Sequence, residues 1–231
     1  MKVILLAAGF GTRLRPLTNS IPKCLVPING KPLLGIWIKN LYERGIRSFL
    51  INTHYLAGNV SDYVLKSSFK DICTVVFEKK LLGTAGTLIA NASFIGEEEC
   101  LFIHADNYCL ADFDAFLRAH HNRPKNCQIT MMTFRANTPS SCGIVEIDDQ
   151  DIVTAFHEKK VDPPGNLANG AIYILSREAI SIIKNEMTNA TDFSLEILPK
   201  FMGRIYSYET SALFLDIGTP ENYTKANDEA N

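Results

Sequence analysis

The sequence predicts an α/β protein built on a three-layer, doubly wound, mainly parallel mixed sheet. Unbroken apolar runs alternate with segments of helical periodicity through the first half of the chain. The first of these runs, KVILLAA at 2–8, is apolar at every position after Lys2, as in a strand buried on both faces of a parallel sheet. With 231 residues and 46% hydrophobic content, the chain can fill one large core.

The elements follow in order. PLLGIWIKNLYERG starts at Pro32, a favourable first helical position, and stops at Gly45, a good C-terminal cap. RSFLINT (47–53) is expected as strand, LAGNVSDYVLKSS as helix, DICTVVF (71–77) as strand, TAGTLIANAS as helix and CLFIHA (100–105) as strand. In the second half NCQITMMTF, SCGIVEID, DIVTAFHEK and NLANGAIYIL read as strands joined by short polar connections, with helices near 176–187 and 219–228. These strands are expected as antiparallel or mixed additions to the same sheet. No Gly/Ser-rich or charged linker divides the halves, which predicts a single domain over 1–231, and no internal repeat is present.

Composition narrows the class of function. A net charge of −2 argues against general nucleic-acid binding. The N-terminal apolar run is too short for a signal segment or a membrane span, so neither membrane nor export is expected and the cytoplasm is the default location. Six cysteines are scattered without a CxxC pair among apolar neighbours and read as reduced packing residues. The five histidines show no metal-ligand spacing and no nucleophile motif beside them.

One stretch departs from this background. From Met1 to Tyr42 there is no Asp or Glu, while Lys2, Arg13, Arg15, Lys23, Lys31 and Lys39 are all present. Gly9 and Gly11 follow the first strand directly and invite a dinucleotide fingerprint. Leu14 stands where its third glycine belongs, and Pro16, Pro22 and Pro27 imply a long extended loop in place of a helix. A Walker A loop fails because no GK[ST] closes the stretch. A glycine-bearing loop at the carboxyl end of a parallel strand remains, where open α/β sheets bind ligands and bare backbone N–H groups approach phosphate. Arg13 and Lys23 on that loop suit a polyphosphate, Arg by bidentate contact and Lys as a point charge. A solvated basic loop is the plainer alternative.

Two carboxylates stand at further strand ends. Asp106 follows the apolar run in FIHADNY, and Asp216 lies in ALFLDIGTPENY ahead of a helix marked by Thr219 and Pro220. Such a pair can hold a hard cation such as Mg²⁺ through oxygen alone while substrate phosphates add ligands. Singly, each is equally a turn or cap residue.

Over Gly9–Pro27 the string GFGTRLRPLTNSIPKCLVP resembles the signature GxGTRLxPxTxxxPKxLxP of the sugar-1-phosphate nucleotidyltransferases, the sugar-nucleotide pyrophosphorylases. The resemblance continues in family order to the C-terminus. It implies a Rossmann-like, glycosyltransferase-A-like nucleotidyltransferase fold, with an N-terminal nucleotide-binding part and a sugar-phosphate-binding part over roughly 110–231. Arg13 and Lys23 become the catalytic cations, Ala8, Gly9, Gly11 and Thr12 nucleotide contacts, and Asp106 and Asp216 the Mg²⁺ ligands. Family members often carry Gly before the first Asp, where this chain has Ala105.

Further strings extend the likeness. In EKKLLGTAGTL, Gly83, Thr84 and Gly86 match the turn that lies against the nucleotide base, though Thr84 is otherwise a simple helix N-cap. LLGTAGTL is more similar to the guanylyltransferase branch, such as the mannose-1-phosphate guanylyltransferases, than to the glutamine-bearing PxGLAQA of thymidylyl-transferring relatives. On the sugar side SCGIVEI supplies Gly143, FHEKK supplies Glu158 and Lys159 in place of the usual EKP, and NLANGAIY supplies Asn169 and Gly170. Asn169-Gly170 is also a type I′ hairpin signal.

The implied reaction joins a nucleoside triphosphate to a sugar 1-phosphate, giving a nucleotide sugar and pyrophosphate for surface polysaccharide precursors, with GTP and a mannose-like or heptose 1-phosphate as the favoured pair. The alternatives are uridylyl, thymidylyl or cytidylyl transfer to another phosphorylated acceptor, or a catalytically silent nucleotide-sugar binding subunit. The chain leaves no room for the left-handed β-helix that some relatives append, so one activity is expected in a monomer or small homo-oligomer.

Overall fold

The KVILL segment forms the strand Lys2–Leu6, with Val3, Ile4 and Leu5 fully buried. Burial on both faces, the continuous apolar pattern and a parallel neighbour agree with one another. That neighbour is Phe49–Thr53, aligned Val3 to Phe49, and beyond it lies Cys73–Phe77, parallel again and aligned Phe49 to Cys73. The computed structural model describes residues 1–230; Asn231, the last position of the predicted domain, lies outside them. Contacts group the chain into two compact units that interleave in sequence.

The first unit comprises residues 1–81, 103–110 and the segment from Leu213 onward. Its helix Leu33–Glu43 buries Leu33, Leu34, Trp37, Ile38 and Leu41, a stripe at helical spacing in which each side chain contributes roughly 1.5–3 kcal/mol of burial. Pro32 stands one position ahead of this helix, not inside it, and Gly45 follows its end with φ +85°. The helix Ala57–Lys66 buries Val60 and Val64. Two short strands, Asn107–Cys109 and Phe214–Asp216, pair antiparallel with Asp216 opposite Asn107. The helix Pro220–Glu229 then begins at Thr219, whose hydroxyl accepts from Asn222 N, as the Thr-Pro signal predicts.

A hairpin pairs Pro27–Ile28 with Lys31–Pro32, and its turn residues Asn29 and Gly30 have φ of 46° and 73°. Positive φ at both positions is what Asn-Gly accommodates. The other Asn-Gly makes no turn: Asn169 and Gly170 lie inside the long strand Leu167–Leu175, where the register shifts between Asn169 and Tyr173. The hairpin signal at 169–170 is therefore corrected to a bulge.

The second unit comprises 82–102 and 111–212. Leu167–Leu175 pairs antiparallel with Ile129–Arg135 and with Gly143–Ile147, which pairs antiparallel with Val153–Glu158. Ile205–Glu209 adds in parallel to Ile129–Arg135. The strand Cys100–His104 is shared in sequence, its first three residues belonging to this unit and the rest to the first. The protein is thus α/β with a mixed sheet, parallel in the first unit and largely antiparallel in the second, as expected. The helix Phe113–His121 was not foreseen, although Asp112 caps it by accepting from Ala115 N at 2.9 Å. All six cysteines are free thiols. Among the described residues no helix is long and apolar enough to cross a membrane.

Candidate active site

The loop after the first strand is not extended throughout. Three 3₁₀ turns, Thr12–Leu14, Leu17–Asn19 and Lys23–Leu25, follow one another, the latter two starting directly after Pro16 and Pro22. Proline stiffens the chain here by presetting φ for the turns rather than by holding it straight. Leu14, where a third glycine would stand in a dinucleotide fingerprint, is buried and anchors the loop.

Gly11 has φ +63°, and a Cβ there would lie 3.0 Å from Thr18 Cγ2 and 3.1 Å from Lys23 Cβ. Its carbonyl accepts from Leu14 N and from Thr18 Oγ1 at 2.7 Å. Both conformation and space therefore demand glycine, and the crowding presses the loop against the stem of Lys23. Gly9 has open space around it. The entry to the loop is pinned from below: Asn52 Oδ1 accepts from Ala7 N at 2.8 Å while Asn52 Nδ2 donates to Glu78 Oε1 at 2.9 Å. Ala8 is buried, whereas Thr12 opens the first turn.

Lys23 is carried inward on the third turn, and its side chain is only 9% exposed. Its Nζ donates to Asp106 Oδ2 at 2.7 Å and to Asp216 Oδ1 at 2.8 Å. The Arg13 guanidinium, largely exposed, meets Asp216 Oδ2 at 3.3 Å. Ile217 N donates to the Asp106 carbonyl at 3.0 Å, which holds the two aspartate stations together, and Asn222 Nδ2 donates to the Asp216 carbonyl. Burial works against the charge of Lys23, but Asp106 and then Asp216 outweigh it and its pKa is raised. Burial likewise opposes ionisation of Asp106, and Lys23, then His104, hold its carboxyl below the ordinary range. Two cations and two carboxylates thus form one nearly neutral cluster.

Asp106 and Asp216 fit a divalent cation in one respect that can be measured: an oxygen from each converges on a single point, the position of Lys23 Nζ. Among the described residues no cluster of three or more His, Cys, Asp or Glu could hold a metal alone, so such an ion would draw its other ligands from water and substrate.

The remaining predicted residues lie in the second unit. Glu158 and Gly143 face each other across their strand pair, and the pairing of Ala168 with Ile144 puts Asn169 beside Gly143 on the next strand. Glu158, Gly143 and Asn169 therefore form one row on one face, with a gap where Gly143 has no side chain. That gap is needed, since a Cβ on Gly143 would lie 2.6 Å from the Phe156 ring and 2.8 Å from Glu158 Oε2. Lys159 has φ 45° and places Nζ 3.3 Å from Glu158 Oε1. Asn169 bonds inward, accepting from Ala171 N and donating to Tyr173 OH at 2.6 Å. Gly170 shares its bulge.

Gly83 and Gly86 open the helix Gly83–Ala90 and pack on protein. Gly83 has φ +77°, and a Cβ there would run into the Thr191 carbonyl. Ala85 N donates to that carbonyl at 3.0 Å. Thr84 is not the N-cap of its own helix, a position held by Leu82; its hydroxyl instead accepts from Phe193 N at 2.7 Å. A Cβ on Gly86 would meet Leu82 Cβ at 3.1 Å.

Three contributors escaped the sequence reading. Asn52 and Glu78 sit at or just beyond the ends of neighbouring parallel strands, the same kind of position as Gly9 and Asp106, and that position is the signal that marks them. Gly218 follows Asp216 in DIGTP; a Cβ there would lie 2.7 Å from Arg13 Nη2 and 2.8 Å from Asp216 Oδ2.

Comparison with known proteins adds to this geometry. A family model described as nucleotidyl transferase matches residues 2–231. A D-glycero-alpha-D-manno-heptose 1-phosphate guanylyltransferase of Campylobacter jejuni is 30% identical over 96% of this chain and 97% of its own length. A mannose-1-phosphate guanylyltransferase of Mycobacterium tuberculosis is 29% identical over 96% of this chain, which spans 62% of that protein's length. The crystal structure of HddC from Yersinia pseudotuberculosis complexed with GMP-PN superposes with a TM-score of 0.82 at 28% identity, covering 100% of this chain and 99% of that one.

Proposed function

Because the chain belongs to the nucleotidyl transferase family, we propose that it transfers a nucleotidyl group from a nucleoside triphosphate to a sugar 1-phosphate, releasing pyrophosphate. GTP and a mannose-like or heptose 1-phosphate are the pair that the guanylyl-transferring relatives favour. The observation that carries the reading is the convergence of Lys23 and Arg13 on Asp106 and Asp216 beside the glycine loop.

The chemistry asks little else of the protein. The attacking phosphate oxygen is already ionised at neutral pH, since its second pKa is about 6, so no general base is needed. The barrier is the approach of one anion to another, and positioning and neutralisation answer it. Arg13, free to swing, stabilises the α-phosphate and the departing pyrophosphate. Lys23 exchanges its carboxylate partners for phosphate oxygens and draws the nucleophile inward. Asp106 and Asp216 would hold Mg²⁺, which supplies Lewis-acid neutralisation of the triphosphate. Glu158 accepts hydrogen bonds from sugar hydroxyls, Lys159 neutralises the sugar phosphate, and the Gly83–Gly86 turn lies against the base.

The test is pyrophosphate release with Mg²⁺ across the four ribonucleoside triphosphates and dTTP, against hexose and heptose 1-phosphates, with Asp106→Ala as the blank. Release with GTP and a manno-configured 1-phosphate, lost in the variant, is the expected outcome. Release with another base alone would overturn the guanylyl assignment, and no release with any pair would overturn the reaction class.

A further inference from the structure

A cavity lies wholly within the first unit, with a volume of about 410 Å³, a size typical of small-molecule sites. The hairpin at Asn29, the helix Leu33–Glu43, Tyr63 and Phe69 line it together with Tyr108, and none of Arg13, Lys23, Asp106 or Asp216 does. Gly35 leaves a notch in the helix that the Tyr63 hydroxyl fills, lying where the glycine's Cβ would be.

Part of the polar lining is unspent, although Asn29 and Asn40 already hydrogen-bond within the protein. Tyr108 is only 5% exposed, yet among the described residues its hydroxyl makes no hydrogen bond, and neither does that of Tyr63. Neither oxygen is sealed from solvent, so both are reachable from the cavity. Phenols are neutral at physiological pH and can both donate and accept. Lys31 and Lys39 also line it, and among the described residues only Lys39 is met by an acid, Glu43 at 3.7 Å. The wall between is apolar and aromatic, from Ile36, Phe69 and the two tyrosine rings. This answers in part why the first 42 residues hold cations and no acid: Lys31 and Lys39 do not belong to the loop site.

From these features the geometry points to a second binding site, behind the Asn107–Cys109 strand, for a phosphorylated, hydroxyl-bearing ring. The phosphate sits between Lys31 and Lys39, the ring lies against the aromatic wall, and its hydroxyls reach the Tyr63 and Tyr108 phenols. Sugar phosphates and nucleoside monophosphates share this chemistry. The site goes beyond the proposed transfer reaction and does not rest on it. Tyr108 is two residues from Asp106 in the chain, so occupancy has a short route to the loop site.

Equilibrium dialysis of the intact protein against labelled glucose 6-phosphate, mannose 6-phosphate and GMP tests it, with inorganic phosphate as a further arm. In wild type, Lys31→Gln/Lys39→Gln and Tyr63→Phe, pyrophosphate release is followed in parallel. Saturable binding of a sugar phosphate or of GMP is expected, weakened about tenfold or more in both variants, while release without the added ligand stays at the wild-type rate. Which arm binds separates sugar phosphate from nucleotide. Binding equal in wild type and variants would place the ligand elsewhere and overturn the site, as would binding of inorganic phosphate alone or of no probe. Because binding is read apart from turnover, failure of the site and failure of the proposed reaction are distinguishable.

Discussion

At the scale of single residues, Arg13 and Lys23 hold similar charges in different states of readiness. Lys23 is buried and bonded to both aspartates, whereas Arg13 is 68% exposed and holds one of them at 3.3 Å. An exposed pair of that length adds little to stability. Arg13→Ala should therefore leave the urea midpoint unchanged while lowering kcat about 100-fold, the loss expected for a contact contributing about 3 kcal/mol to the transition state. Unchanged kcat with intact folding would remove Arg13 from the mechanism. Gly218 offers a complementary case, because it touches the cluster only through the space it leaves. Gly218→Ala pushes a methyl against Arg13 and both Asp216 oxygens, and the Arg13 side chain can swing away while Asp216 is held by its strand. The fold should survive and kcat should fall by about 10- to 100-fold through misplacement of the carboxylate, a result read from steady-state kinetics beside a thermal melt.

At the scale of elements, glycines that look alike in sequence have different duties. Gly9 has open space, whereas Gly83 has φ +77° and faces the Thr191 carbonyl. Gly83→Ala should destabilise the protein by about 2 kcal/mol or more, from strained backbone and from displacement of the 191–193 segment. Gly9→Ala should be near neutral in the same urea titration. The contrast also marks what could be read beforehand. Buried parallel strands, Asp106 and Asp216 at strand ends and the Thr219-Pro220 helix start were legible because each follows from local pattern. The two Asn-Gly pairs were not separable, since a bulge at 169 depends on the Asn169–Tyr173 bond and on neighbouring strands. Nor could the sequence show that Thr84 caps residue 193 rather than its own helix, because that bond crosses 109 positions.

At the scale of the whole molecule, stability should depend on acid through a buried histidine far from the loop site in sequence. His120 is 2% exposed, on the helix Phe113–His121, with Nδ1 2.7 Å from Thr130 Oγ1 and Nε2 3.2 Å from Glu99 Oε1. Burial lowers its pKa below the ordinary 6.5, and the Glu99 hydrogen bond offsets that only in part. The unfolded chain therefore takes up the proton first as pH falls, so stability is full above about 6.5 and is lost as pH drops through the folded value. Glu99 acts in the same direction lower down: the hydrogen bond from His120, with Arg123 nearby, holds its pKa below the ordinary 4.5, and its contribution is lost on acidification below that value. Urea midpoints measured from pH 8 to pH 5 should fall for the wild type. His120→Gln keeps a side chain able to hydrogen-bond but cannot titrate, so its midpoint should start lower and vary less over the same range. An equal slope in the variant would assign the acid sensitivity to other groups.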